Sequence, residues 1–114
     1  MSSEREQTRL ADIIENIDRI ANYVGDMDLE EFIDRPMLID ACERCLQRIT
    51  EAAVKIGEQR MGKIAPDIPF HVLRGLGNVL RHEYDQIDDA IVFETIRQDL
   101  PPLKAACMAA IRAQ

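Results

Sequence analysis

Arg74, Asn78, Arg81, His82 and Asp85 recur at intervals of i, i+4, i+7, i+8 and i+11. At about 100° per residue these positions share one side of a helix. Leu73, Leu76, Leu80 and Ile87 fall on the other side, and Tyr84 lies at the margin of that apolar face. The polar stripe holds no lysine or glutamate, the usual fillers of a solvated surface, and gathers one of only two histidines beside two arginines. A histidine exchanges a proton near neutrality. An arginine presents a forked donor matched to phosphate oxygens, and an asparagine can orient a neighbour or hydrogen-bond a base. The set suits cleavage of RNA through its own 2′-hydroxyl, with His82 handling a proton and Arg74 or Arg81 stabilising charge on phosphorus. Asp85 stands alone beside them, so no carboxylate cluster is expected to hold a metal, and neither a metal nor a cofactor enters this chemistry.

One helix offers few groups. Two copies facing each other across a two-fold axis would double them and build a cleft, so a homodimer through this helix is expected. Gly75 and Gly77 fit that picture. Each costs a helix about 1 kcal/mol relative to alanine, which points to close approach by another helix, a second copy or a ligand.

The elements that must carry this helix are themselves helical. Ser3 and Glu6 form a candidate capping box, followed by the stripe Leu10, Ile13, Ile14, Ile17, Ile20, Ala21 and Val24, which stops at Gly25-Asp26. Asp28 is placed to cap a short turn through Phe32. Pro36 opens a second long helix from its first turn, where a missing N–H costs little. Leu38, Ala41, Cys42, Cys45, Ile49, Ala52, Ala53 and Ile56 form its inner face. Residues 57–69 hold two glycines and two prolines and read as a loop. The third helix is expected over about 69–85 and a fourth over about 88–100. Pro101-Pro102 restarts the chain into a fifth, with Leu103, Cys107, Ala110 and Ile111 inward. No segment reads as a strand. The expectation is one all-α domain over residues 1–114, an up-and-down bundle of four to five helices.

The 114 residues suit one domain, and a chain this small buries its surface only marginally, which again favours an oligomer. A net charge of −7 argues against broad nonspecific binding to nucleic acid. Locally the balance reverses: residues 60–82 carry Arg60, Lys63, Arg74 and Arg81 against Asp67 alone. Arg60 and Lys63 are placed to widen a basic cleft, whereas His71 reads as an ordinary surface or core-edge histidine. The three cysteines are an odd number. Cys42 and Cys45 form a CxxC without the further ligands that zinc needs, and their place on a helix face points to core packing. No apolar run approaches the roughly 20 residues of a membrane span, and the cytoplasm is the expected location.

The stretch GNVLRHEYDQID resembles the signature of the HEPN superfamily, specifically its HepT-like group. LADIIENIDRIANYV is similar to that group's first helix and DLPPLKAAC to its closing segment. RITEAAVKI is similar to its second-helix stretch, with Thr50 where the family usually has glycine. The resemblance covers nearly the whole chain and implies an all-α bundle that dimerises through the motif helix. It also implies a metal-independent endoribonuclease acting as the toxin of a type VII-like toxin–antitoxin pair. The partner it implies is an MNT-type nucleotidyltransferase, which restrains the toxin by binding and by attaching AMP to the motif tyrosine. Asn78, His82 and Tyr84 match the motif; the motif arginine falls at Gly77, leaving Arg74 and Arg81 as the nearby cations. A catalytically silent dimer that binds a nucleotidyltransferase or a nucleotide is the alternative.

Overall fold

A computed structural model describes residues 4–78 and 89–113, with Gly77 and Asn78 described by backbone only. The described residues are helical almost throughout: α1 (Glu4–Val24), α2 (Leu29–Ile33), α3 (Pro36–Ile56), α4 (Glu58–Ile64), α5 (Phe70–Asn78), α6 (Asp89–Gln98) and α7 (Leu100–Arg112). The all-α class read from periodicity holds. Arg81, His82, Tyr84 and Asp85 lie outside the described residues, as does Ser3 of the expected capping box.

Two long antiparallel helices form the frame. α1 and α3 each run 21 residues and pack along one another, with α7 covering α1 and α5 covering α3. Leu10, Ile13, Ile20 and Ile49 are fully enclosed, as are Phe32 and Cys42. Each large apolar side chain of this kind contributes about 1.5–3 kcal/mol. The α1 stripe differs from its expected form at two places. Ala21 is exposed, because it sits at the edge of the arc that α3 and α7 cover. Asn16 is buried instead. Its Nδ2 donates to the Asp12 carbonyl 2.8 Å away, and its Oδ1 has no partner among the described residues.

The short α2 is held by a complete capping box. Asp28 Oδ1 accepts from the Glu31 N–H at 2.9 Å, and Glu31 Oε1 accepts from the Asp28 N–H at 3.0 Å. This satisfies two donors that a helix start would otherwise leave bare. Phe32 then packs against Phe93 of α6, ring centroids 5.1 Å apart. Pro36 occupies the first turn of α3 and Pro101 and Pro102 the first turn of α7, as their missing donors require.

Residues 57–69 are not a plain loop. They contain α4, which the density of glycine and proline conceals. Gly57 takes φ +99°, a conformation side chains rarely adopt, so the chain breaks there between α3 and α4 rather than unwinding. The apolar pair Met61 and Ala65, one turn apart and both buried, gives α4 its reason to fold. Both prolines, Pro66 and Pro69, follow its end. No helix among the described residues is long and apolar enough to cross a membrane.

Candidate active site

α5 carries the start of the polar stripe. Leu73 and Leu76 are buried against α3, whereas His71 and Arg74 are exposed. The amphipathic split expected of this helix therefore holds over its described part, and Arg74 points away from the core. Its guanidinium lies over the Phe70 ring, 5.9 Å from the centroid, one turn back along the same helix. That contact limits the side chain's freedom while leaving its donors open to solvent. Asn78 closes the described part of the helix, and Arg81, His82 and Tyr84 follow beyond it.

What holds α5 in place was not evident from the motif. Thr50, on α3, donates its hydroxyl to the Leu73 carbonyl at 3.0 Å, across 23 residues of sequence. A carbonyl has two lone pairs, so this bond adds to the helix ladder without breaking it. The signal was present in the sequence: a lone hydroxyl among Ile49, Ala52 and Ala53 on the inner face of α3, at the position where the HepT-like pattern has glycine.

Gly75 was expected to mark a close approach. A Cβ built there meets nothing within 4 Å, so no helix of the described chain crowds it. No described residue fills the space above this half-buried glycine. Gly77 has its side-chain position outside the described set.

The other chemistry-bearing residues separate from this helix. Cys42, Cys45 and Cys107 are buried free thiols. Burial, with the neighbouring Cys45 and Glu43 adding to it, pushes Cys42 up to about 12; burial alone pushes Cys107 up to about 12. Thiols held neutral in this way pack as small apolar groups, the role expected for the CxxC. Arg60, expected to widen a basic cleft, is instead engaged: its Nε and Nη2 donate to both carboxylate oxygens of Glu6 on α1, at 2.8 and 3.0 Å. Lys63 remains exposed. Glu43 on α3 is raised above the usual carboxylate range, by burial first and then by Asp40 and Asp89.

The family model described as "Ribonuclease HepT-like" matches residues 13–110. Among curated proteins, "Putative RNase MJ0125" of Methanocaldococcus jannaschii is 40% identical over 95 residues, covering 83% of this chain and 81% of that protein. "Putative RNase MJ1380" of the same organism is 32% identical over 104 residues, 91% of this chain and 94% of its own. "Probable ribonuclease HepT" of Thermococcus cleftensis is 28% identical over 95 residues, 83% of this chain and 86% of that protein. No solved structure matches the chain.

Proposed function

Because this chain belongs to the HepT-like ribonuclease family, we propose that it is a metal-independent endoribonuclease, the toxin of a toxin–antitoxin pair. The observation that carries the reading is Arg74, held over Phe70 on the solvent side of α5 while Leu73 and Leu76 anchor the opposite side in the core. Their sequence spacing of four, seven and eight residues is what sets Asn78, Arg81 and His82 beside Arg74 in this reading.

In this mechanism His82 accepts the proton of a ribose 2′-hydroxyl as its oxygen attacks the adjacent phosphorus. The bond from phosphorus to the 5′-oxygen breaks, and that oxygen leaves as a hydroxyl with a proton taken from solvent, to which His82 returns its own. A 2′,3′-cyclic phosphate and a 5′-hydroxyl end result. Arg74 or Arg81 balances the charge that builds on the non-bridging oxygens, and Asn78 orients the pair. A homodimer through the motif helix brings two such sets to one cleft, and no described residue fills the space over Gly75 that the second copy would approach. Tyr84 is the residue to which an MNT-type nucleotidyltransferase would attach AMP, silencing the toxin.

Purified protein should cleave single-stranded RNA in EDTA, and His82→Ala should abolish cleavage; undiminished activity in that variant would eliminate the mechanism. Arg74→Ala and Arg81→Ala, compared side by side, identify which cation serves the phosphorus centre.

One observation favours a second reading. Gly77 stands where the motif has its arginine, so a dimer that binds the nucleotidyltransferase without cleaving RNA also fits the sequence. Expression without the partner separates the two, since a toxin arrests growth and a silent dimer does not.

A further inference from the structure

The end of the bundle where α1 begins and α3 finishes carries a concentration of cations that the active-site reading leaves unused. A cavity of about 390 Å³ there is lined by Arg5, Glu6 and Arg9 of α1 and by Lys55 and Ile56 of α3. Ile56 is also a wall of a second cavity, about 480 Å³, which continues along α4 past Glu58 and Arg60 to Lys63, so that among the described residues Lys63 is its cation not already paired. The Arg60–Glu6 ion pair joins the two, and it neutralises the one carboxylate among the described residues that line the first cavity. Arg5, Arg9 and Lys55 have no ion-pair partner among the described residues.

Helix stability does not explain them all. Lys55 stands in the last turn of α3, where a cation suits the helix dipole. Arg5 stands in the first turn of α1, where the positive helix end disfavours a cation, and Arg9 follows it one turn on. The chain as a whole carries −7, so a concave cationic track against that background is a local feature and not a consequence of composition. From Lys63, residues 65–69 lead directly into α5 and Arg74.

We propose that this track, formed by Arg5, Arg9 and Lys55 and extended by Lys63, binds the phosphodiester backbone of the RNA substrate away from the scissile bond. The inference rests on the ribonuclease reading for the identity of the ligand. Its geometry favours a nucleic-acid strand over an acidic protein: the cations line two joined hollows, suited to a narrow repeating polyanion, whereas protein interfaces centre on apolar anchors that these walls lack apart from Ile56. Such contacts position the strand and carry no sequence preference.

The test is binding of a fluorescein-labelled single-stranded RNA by the full chain in a His82→Ala background, which prevents cleavage during titration. The triple substitution Arg5→Gln, Arg9→Gln, Lys55→Gln should weaken binding about tenfold near physiological salt, and should make the salt dependence shallower by about 2 in log–log slope. Arg35→Gln, at the opposite end of α3, should change neither. A triple variant that keeps its thermal melt but also keeps affinity and slope overturns the proposal, as does a parent protein that binds no RNA. Loss of binding to polyglutamate with RNA affinity unchanged overturns it in favour of a protein partner. The two readings fail separately. A chain with His82 intact that binds RNA through the track without cleaving it defeats the nuclease mechanism alone, whereas His82-dependent cleavage with an unaltered slope in the triple variant defeats the track alone.

Discussion

The Thr50 hydroxyl and the Leu73 carbonyl, 3.0 Å apart, form the hydrogen bond by which α3 grips α5. It lies one residue before Arg74, so the element that orients the candidate catalytic stripe is tied to the most enclosed long helix of the bundle. Thr50→Val keeps the shape and removes the donor. We expect a loss of about 0.5–1.5 kcal/mol in global stability and faster amide exchange over residues 74–78 than elsewhere. Uniform exchange across the chain would show that the bond does not govern α5 specifically.

The bidentate Arg60–Glu6 pair fastens α4 to the start of α1. The Glu6 side chain is largely enclosed, at 11% exposure, and the Arg60 side chain is 35% exposed. With the Arg60 side chain more than a third exposed, solvent screens the pair, and its bidentate geometry is worth about 0.5–1 kcal/mol. Arg60→Met should destabilise by an amount in that range, measured by urea denaturation. A double-mutant cycle with Glu6→Gln should show coupling, and strict additivity would contradict the geometry.

Glu43 gives a pH dependence with a definite sign. Its carboxyl is raised in the fold by burial and by the charges of Asp40 and Asp89, so the folded protein binds its proton before the unfolded chain does. The ionised form therefore lowers stability at neutral pH, and the penalty is relieved as pH falls through the folded pKa. Glu43→Gln should be the more stable protein near neutrality, by no more than about 1 kcal/mol because solvent screens partly exposed carboxylates. The two proteins should converge below the unfolded pKa of about 4.3. Denaturation at neutral and acid pH checks both halves.

The thiols should be inert in the native protein. Cys42 and Cys107 sit near 12 through burial, and Cys45 is raised mainly by the same cause. The thiolate is the nucleophile, so iodoacetamide at about pH 8 should leave the folded chain unlabelled and modify all three cysteines in denaturant. Rapid native labelling would mean that the core opens readily.

Much of this was legible before the fold. The α1 stripe, the Asp28 cap, the proline starts of α3 and α7 and the apolar face of α5 all follow from spacings within one or two turns. α4 was hidden because Gly57, Gly62, Pro66 and Pro69 read as loop punctuation. Met61 and Ala65, the pair that folds it, carry meaning only once there is a core to enter. From sequence Arg60 reads as a cation widening a basic cleft, because nothing nearby signals Glu6, 54 positions away.

By itself, then, the sequence determined the helices other than α4 and marked out the candidate helix for the chemistry, because helical propensity, capping and amphipathic period are set by neighbours within a few residues. The tertiary structure alone decided that Thr50 meets Leu73, that Arg60 is occupied by Glu6, and that Arg5, Arg9 and Lys55 share one hollow. Those pairings depend on the register in which α1, α3, α4 and α5 pack, and that register is a property of the assembled core rather than of any local stretch of chain.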